Sequence, residues 1–495
     1  MTNGKATINR LATGVPGFDE VLGGGLPEYS FNIIAGHPGS GKTTLAHQIM
    51  FTLATPERPA LYFTVLGEPP LKMLRYQQQF SFFDSEKISQ AIHFINLGEV
   101  MAGGDLEKVL GSIVTAVEAY GPSLVFVDSF RSVVLASHTE STSFVNLQQF
   151  IQQLGTLMTS WQATTFLIGE YFTDKDPNPV FTVADGLIWL RQSVERNSMV
   201  RKLEIMKMRG QPTLPGLHTF RISPAGVCVF APARLAVPAA KESPWPIEKR
   251  LGMGVPGLDE MMGGGLPQGY SLLIAGPSGS GKSIMGSAFL AEGARSGETG
   301  VIAAFEQRAN RSRGHVIDGL IKDGRIGVID TLASDLSVDE IATQVVAEVR
   351  RLKATRVVID SLSGFELTLA PTFREDFRET MARMVSALAN TGVTVVMTSE
   401  LEDRYDDLRF SPYGTAFLTD AIIVQRYIEV DSRLQRVLAV VKVRSSPHSN
   451  ELRLFTIHED GITLGGMLAD FEGLLGGRPT RRETARSGDK DAVDG

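Results

Sequence analysis

The chain has 495 residues, of which 43% are hydrophobic and 21% charged, and this composition excludes a largely disordered protein. Its 48 basic and 55 acidic residues give a net charge of −7 at pH 7, which argues against a protein that coats nucleic acid. The single cysteine, Cys228, excludes an intrachain disulfide and a cysteine-based zinc site. We find neither an apolar leader nor an apolar run of about 18 residues, so we expect a cytoplasmic protein that does not span a membrane.

Short apolar runs alternate with helical patterns along the first half of the chain. Strands are predicted at 31–36, 60–66, 124–129, 164–170, 187–192 and 201–209. Helices are predicted at 43–54, 109–120 and 144–161. Short continuous apolar strands suit a parallel sheet that is buried on both faces. The alternation therefore predicts an α/β fold.

The second half of the chain repeats the first. Residues 14–43 and 254–283 are identical at roughly 18 of 30 positions, and similarity at offsets of about 230–240 continues downstream. This period indicates a tandem duplication of a large domain, because a solenoid repeat is far shorter. We predict domains at 1–232 and 251–476, a proline-containing linker at 233–250 and a polar, disordered tail at 477–495.

Each half contains one glycine-rich loop of the pattern G-x-x-x-x-G-K-[ST], between a predicted strand and a predicted helix. Glycines let successive backbone N–H groups turn toward phosphate oxygens, and the positive end of the helix points at the same anion. The pattern predicts two sites for a nucleoside triphosphate. The candidate phosphate-binding residues are Gly36, Gly39, Ser40, Gly41, Lys42, Thr43 and Thr44 in the first half, and Gly276, Gly279, Ser280, Gly281, Lys282 and Ser283 in the second.

A magnesium site is predicted beside each loop. The hydroxyl groups of Thr43 and Ser283 are candidate Mg²⁺ ligands. Asp128 and Asp360 each end an apolar strand, where a carboxylate can hold the water shell of the ion. A strand-ending aspartate is by itself a common turn former. Its recurrence downstream of both glycine loops favours the metal interpretation.

Hydrolysis also needs a group that orients or deprotonates water. Glu68 and Glu306 follow the strand after the first helix of each half, where a carboxylate can act as general base. The alternative is a surface glutamate at the end of a strand. Because Gly67 precedes Glu68 whereas Gln307 follows Glu306, the two sites are expected to differ in turnover.

A basic pair recurs late in each half, as Lys207 with Arg209 and as Lys442 with Arg444. Residues two apart on a strand project to one face. One interpretation is that each pair reaches the nucleotide of an adjacent subunit, like an arginine finger. The other is an edge strand that its charges protect from aggregation.

Taken together, the GVPGxDE…GGGLP segments, the two glycine loops, the IDS segment at 359–361 and the two K-x-R pairs resemble a double-domain KaiC-type ATPase over about residues 10–480. The resemblance implies two tandem RecA-like P-loop domains with mostly parallel central sheets. It also implies a homohexameric ring with ATP and Mg²⁺ at subunit interfaces and KaiB-like or other signalling proteins as partners. Lys42, Lys282, Glu68 and Glu306 match catalytic positions, and the K-x-R pairs match residues that contact a neighbour's nucleotide.

One segment departs from the clock members that this chain resembles. Those proteins autophosphorylate on a Ser-Thr pair, and the aligned residues here are Ala416 and Phe417, neither of which has a hydroxyl group. Ser411, Thr415 and Thr419 are the remaining candidate phosphate acceptors nearby.

Three functional hypotheses follow. The first is an ATP-hydrolysing oligomeric regulator with Ser/Thr autokinase activity in the second domain. The second is a RecA- or DnaB-like ATPase that acts on DNA, against which the acidic net charge argues. The third is a scaffold in which ATP only holds subunits together.

Overall fold

The computed structural model describes residues 8–65, 70–101, 105–136, 143–173, 179–195, 198–232, 249–305, 314–330, 336–369, 377–401, 419–430, 432–459, 461–467, 471–472 and 480–481. The chain divides into two units, Met1–Pro232 and Ala233–Gly495. Among the described residues, no helix is long and apolar enough to cross a membrane.

The first unit alternates strands and helices along the chain. Its strands are β1 (Arg10–Leu11), β2 (Leu26–Pro27), β3 (Phe31–Gly36), β4 (Ala60–Thr64), β5 (Ile92–Asn96), β6 (Leu124–Asp128), β7 (Thr164–Glu170), β8 (Gly186–Glu195), β9 (Ser198–Met208), β10 (His218–Ser223) and β11 (Gly226–Phe230). Its helices are α1 (Phe18–Val21), α2 (Lys42–Leu53), α3 (Pro70–Gln77), α4 (Gly98–Met101), α5 (Leu106–Tyr120), α6 (Phe130–Ala136), α7 (Ser143–Ser160) and α8 (Pro179–Val183), with one 3₁₀ turn at Ser85–Lys87.

Nine of these strands form one sheet in the order β11-β10-β9-β8-β3-β7-β6-β4-β5, as far as the described residues extend. In this spatial order, the neighbouring strands β8, β3, β7, β6, β4 and β5 pair in parallel. The neighbouring strands β8, β9, β10 and β11 pair antiparallel. Strand β3 is buried along its whole length because helices cover both faces of the sheet. Ile34 packs in the apolar core with α2, and Ile33 packs in the core with α5 and α7.

The second unit repeats this arrangement. Its strands are β12 (Arg250–Leu251), β13 (Leu266–Pro267), β14 (Ser271–Gly276), β15 (Gly300–Ala304), β16 (Ile326–Asp330), β17 (Arg356–Asp360), β18 (Thr394–Glu400), β19 (Ala421–Val430), β20 (Arg433–Val443), β21 (Leu452–His458), β22 (Gly461–Met467), β23 (Phe471–Glu472) and β24 (Thr480–Arg481). Its helices are α9 (Leu258–Met261), α10 (Lys282–Arg295), α11 (His315–Lys322), α12 (Val338–Leu352), α13 (Leu362–Thr368) and α14 (Phe377–Asn390).

The second sheet has the order β16-β15-β17-β18-β14-β19-β20-β21-β22, again counted over the described residues. Read from its opposite end, this order matches that of the first sheet strand for strand, with β14 in the place of β3. Two mostly parallel sheets with helices on both faces are the architecture of tandem RecA-like P-loop domains. The predicted fold class is therefore confirmed.

Two ends of the second unit differ from the sequence-based expectation. Arg250, predicted to be linker, pairs with Pro267 and donates hydrogen bonds to the carbonyls of Met262 and Gly265, so this residue already belongs to the fold. Within 477–495, predicted to be a disordered tail, the segment Thr480–Arg481 pairs antiparallel with Phe471–Glu472. The partner strand is anchored because Phe471 packs against a small apolar cluster. The other residues of both segments, apart from Lys249, lie outside the described residues.

Candidate nucleotide-binding sites

Both glycine loops leave the sheet at its carboxyl edge. The first loop follows Gly36 at the end of β3, and the second follows Gly276 at the end of β14. Each of these strands lies between parallel neighbours that end at the same edge. Ligands of open α/β sheets bind at this edge, so the topology places both loops where a ligand site is expected.

The helix after each loop begins without a side-chain cap. Gly41 and Gly281 occupy the N-cap positions with φ of 102° and 107°, a backbone conformation that favours glycine. By contrast, the side chains of Asp105 and Ser337 accept backbone N–H groups at the starts of α5 and α12. The first N–H groups of α2 and α10 therefore have no side-chain acceptor at the cap and suit an anion.

The loop lysines point back at their own loops. The Lys42 amine donates to the carbonyl of His37 at 2.8 Å. The Lys282 amine donates to the carbonyls of Gly276 and Pro277 at 2.9 and 2.8 Å. Burial lowers the pKa of Lys42, and the negative charges of Glu170 and Asp128 oppose that shift. An arriving phosphate would act in the same direction as these carboxylates and keep the amine charged.

In the first repeat, the predicted metal-binding residues lie together. The Thr43 hydroxyl donates to Oδ2 of Asp128 at 2.9 Å, and the Tyr62 hydroxyl donates to the same oxygen at 2.7 Å. Burial raises the pKa of Asp128, whereas the hydrogen bonds from Tyr62 and Thr43 and the charge of Lys42 lower it. The arrangement holds one oxygen of the carboxylate and leaves a threonine hydroxyl beside it, which is a donor set that Mg²⁺ accepts.

The second repeat holds its aspartate differently. Ile302 occupies the position of Tyr62 and has no hydroxyl group, and Asp360 accepts a hydrogen bond from Thr398 instead. Ser283 lies at the start of α10, half-buried. In both repeats the peptide bond after the aspartate is cis. The two sites thus have the same backbone conformation here and differ in the hydroxyl group that positions the aspartate.

Replacing Tyr62 with phenylalanine removes one hydrogen bond to Asp128 while keeping the ring in the core. A hydrogen bond to a charged group contributes about 1.5 kcal/mol or more, so we expect the Mg²⁺ concentration for half-maximal phosphate release at the first site to rise about tenfold. The measurement uses the Lys282→Ala chain, in which only the first site turns over. The same Tyr62→Phe change in a Lys42→Ala chain is the control, since the second site should keep its Mg²⁺ dependence. Equal shifts at both sites would contradict this assignment.

A cavity of about 360 Å³ opens beside the first loop. Of the predicted residues, Gly39, Gly41, Lys42, Thr43, Thr44 and Asp128 line it. The lining also includes residues that the sequence did not single out, which are Tyr62, Thr64, Met73, Ser129, Gly169, Glu170 and Ile222. Two recurrences in the sequence could have pointed to some of these residues, namely the strand-ending Glu170 and Glu400, and the serines that follow the aspartates, Ser129 and Ser361.

Other predicted residues lie elsewhere. The Ser40 and Ser280 side chains are fully buried behind their loops, and Ser280 donates to Oε1 of Gln425 at 2.8 Å. These serines can therefore offer a phosphate only their backbone. Glu68 and Glu306, the predicted general bases, lie outside the described residues, so their role stays a prediction.

The K-x-R pairs lie at the other end of the strands, away from the carboxyl edge where the glycine loops begin. Arg209 forms an ion pair with Asp185 at 3.1 Å, and Asp185 also accepts the backbone N–H of Phe31, the first residue of β3. Lys207 donates to the carbonyl of Thr182 at 2.9 Å. Strand β9 pairs with β8 along its length but with β10 only at Lys202 and Leu203, so the edge-strand interpretation of this pair stays open.

The second repeat reproduces the pair and its neighbours. Arg444 forms an ion pair with Asp420 at 3.3 Å, and Lys442 donates to the carbonyl of Thr419 at 2.6 Å. Burial and the neighbouring arginine lower the pKa of Lys207 and of Lys442. Both basic pairs are thus held in place, half exposed, and far along the sheet from the loop of their own unit.

A glycine loop between a buried strand and an uncapped helix, with a strand-ending aspartate beside it, defines a P-loop nucleotide-binding protein. Residues 11–234 and 251–467 both match the family model of the KaiC ATPase. The chain therefore belongs to the KaiC ATPase family, as the sequence resemblance predicted.

The chain is similar over nearly its whole length to circadian clock oscillator proteins. It is 26% identical to KaiC of Rippkaea orientalis over 488 residues, which cover 96% of this chain and 92% of that protein. It is also 26% identical to KaiC 1 of a Synechocystis species with the same coverage, and 25% identical to KaiC of Prochlorococcus marinus with 96% of each chain covered. The likeness thus includes both repeats.

Proposed function

We propose that this protein hydrolyses ATP at two unlike sites, each completed by a neighbouring copy of the chain in a closed ring, most simply a homohexamer. The nucleotide at each interface would set the conformation of the ring, which signalling partners such as KaiB-like proteins would read. The membership in an ATPase family supports the reaction. The position of the K-x-R pairs supports the shared sites.

Within each site, the proposed roles follow the chemistry of the residues. The loop backbone and Lys42 or Lys282 would hold the triphosphate, and Thr43 with Asp128, or Ser283 with Asp360, would hold Mg²⁺. The ion would neutralise the charge that develops on the phosphate oxygens. Glu68 and Glu306 would take the proton of the attacking water.

One observation supports shared sites above all. Arg209 is held at the level of Phe31, whereas the loop begins after Gly36, five residues further along β3. At about 3.3 Å per residue this separation is about 17 Å, more than an arginine side chain spans. The same register holds for Arg444 and β14. A cation at this edge cannot reach the phosphate loop of its own unit, which supports a site completed by another copy of the chain.

Mass measurement with and without ATP, followed by phosphate-release kinetics, tests the proposal. We expect ATP-dependent assembly together with Mg²⁺-dependent phosphate release. Assembly without release would favour the scaffold hypothesis, and a chain that stays monomeric in ATP would contradict shared sites. Nanomolar DNA binding with a steep salt dependence would favour the DNA-acting alternative.

The autokinase hypothesis gains no support from the described residues. Thr419 is fully buried, and its carbonyl accepts a hydrogen bond from Lys442. Ser411, Thr415, Ala416 and Phe417 lie outside the described residues. We therefore propose a regulatory ATPase without the Ser-Thr phosphorylation cycle, since Ala416 and Phe417 carry no hydroxyl group.

A further inference from the structure

A glutamate ends the same strand in both repeats. Glu170 is the last residue of β7 and pairs with Gly36, and Glu400 is the last residue of β18 and pairs with Gly276. In each sheet, this strand lies between the strand of the glycine loop and the strand that ends in the metal-binding aspartate. A carboxylate at this position lies between the phosphate cradle and the acid.

The face of the sheet on which Glu170 lies follows from the alternation of side chains along β7. Ile168 packs in the core under α2, the helix that begins with Lys42, and Glu170 lies two residues further on the same face. Ile168 pairs with Asp128 on the adjacent strand. With strands about 4.8 Å apart and residues about 3.3 Å apart, the Cα atoms of Glu170 and Asp128 are about 8 Å from each other, within reach of a shared ligand.

The carboxylate of Glu170 is available for a ligand. Its side chain is exposed, lines the cavity beside the loop and makes no hydrogen bond or ion pair within the described part of the chain. By contrast, the Lys42 amine and the Asp128 carboxylate are engaged with loop and strand neighbours. The charge of Glu170 raises the pKa of both groups, which places it in electrostatic contact with the site.

A carboxylate gains little from a position beside a triphosphate unless something between them donates hydrogen bonds, because like charges repel. Water is such a donor. A water molecule that donates one hydrogen to each of two carboxylates has its lone pair fixed in direction, which lowers the entropy cost of attack. The sequence offers a second carboxylate candidate for this purpose, Glu68, the predicted general base.

We propose that Glu170, and Glu400 in the second repeat, orient the attacking water. This inference rests on the proposed ATP hydrolysis. The water oxygen forms a bond to the γ-phosphorus, and the bond from that phosphorus to the bridging oxygen breaks, so that ADP leaves with the electron pair. Glu68 takes one proton of the water and passes it to the released phosphate. Glu170 accepts a hydrogen bond from the other O–H group throughout the step.

The test compares two substitutions of Glu170 in the full chain that carries Lys282→Ala, so that phosphate release reports the first site alone. Glu170→Leu removes the acceptor, and Glu170→Gln keeps a neutral acceptor oxygen. We expect Glu170→Leu to lower kcat at least thirtyfold and Glu170→Gln to lower it by a smaller factor. The Kd of a non-hydrolysable ATP analogue, measured separately, should not rise in either variant. Glu118→Gln, on the exposed end of α5, is the matched control and should leave kcat unchanged.

The outcomes separate the possible roles. Equal kcat for Glu170→Leu and Glu170→Gln, or a loss that appears in Kd alone, would assign Glu170 to charge balance with Lys42 and overturn the proposal. So would a kcat within twofold of the parent chain. A parent chain that binds ATP and releases no phosphate would overturn hydrolysis at the first site itself, before either substitution is made. Glu400→Leu and Glu400→Gln in a Lys42→Ala chain extend the same test to the second site.

Discussion

Phosphate release from ATP is expected to fall about 100-fold or more when Lys42 and Lys282 are both replaced by alanine, because removal of one well-placed donor to a developing charge has an effect of this size. Each lysine is the first residue of the helix that follows a glycine loop, and its amine donates to loop carbonyls. These contacts leave the amine next to the place where phosphate oxygens would bind. Phosphate-release kinetics at saturating ATP and Mg²⁺ measure the effect.

The control is Lys108→Ala, since Lys108 is a surface lysine whose side chain is 76% exposed and pairs with Asp105 at 3.3 Å. This variant should release phosphate at the wild-type rate. The single variants Lys42→Ala and Lys282→Ala should each retain the activity of the other site. Wild-type phosphate release by the double variant would show that ATP is hydrolysed somewhere other than the two glycine loops.

The second large effect is expected from Arg209→Ala combined with Arg444→Ala. An arginine supplied from a neighbour contributes about 10³-fold or more to phosphoryl transfer, so this double variant should be nearly inactive while still binding ATP. Because the arginines serve another copy, mixing should restore activity. A chain with Lys42→Ala and Lys282→Ala still carries both arginines, and random mixing with the arginine variant in a closed ring should recover about a quarter of the wild-type rate.

The mixing experiment has its own control. Two samples that both carry the arginine substitutions should remain inactive after mixing, and the mass of the mixed assembly verifies that subunits exchange. If mixed rings of the two different variants stay inactive, each arginine acts within its own chain. That result would remove the main support for sites shared between neighbours.

Much of the fold could be predicted from the sequence because its elements are short and strongly patterned. The run Phe31–Gly36 reads as a buried strand, the glycine loop follows at once, and α2 begins within one residue of the prediction. The duplication doubled this information, since the second half repeats each signal. The strand β5 is hard to predict because most of its residues, Ile92–Asn96, are only partly buried at the edge of the sheet, and the histidine and asparagine among them weaken the apolar signal.

Less of the site could be predicted, because strand order is a long-range property. The sequence does not say that β7 lies between β3 and β6, so Glu170 read as an ordinary residue at the end of a strand. The same holds for Tyr62, whose hydroxyl meets Asp128 across 66 positions of the chain. The glycine loop itself was found because its chemistry resides in eight consecutive residues.

The different hydroxyl groups that hold Asp128 and Asp360 have a consequence for the relative amounts of the two kinds of site. Two unlike nucleotide sites on separate proteins would be present in amounts set by the expression of each gene. Here both sites lie on one polypeptide, with Tyr62 in one half and Thr398 in the other. Every molecule made therefore carries one of each, and their ratio is independent of expression level.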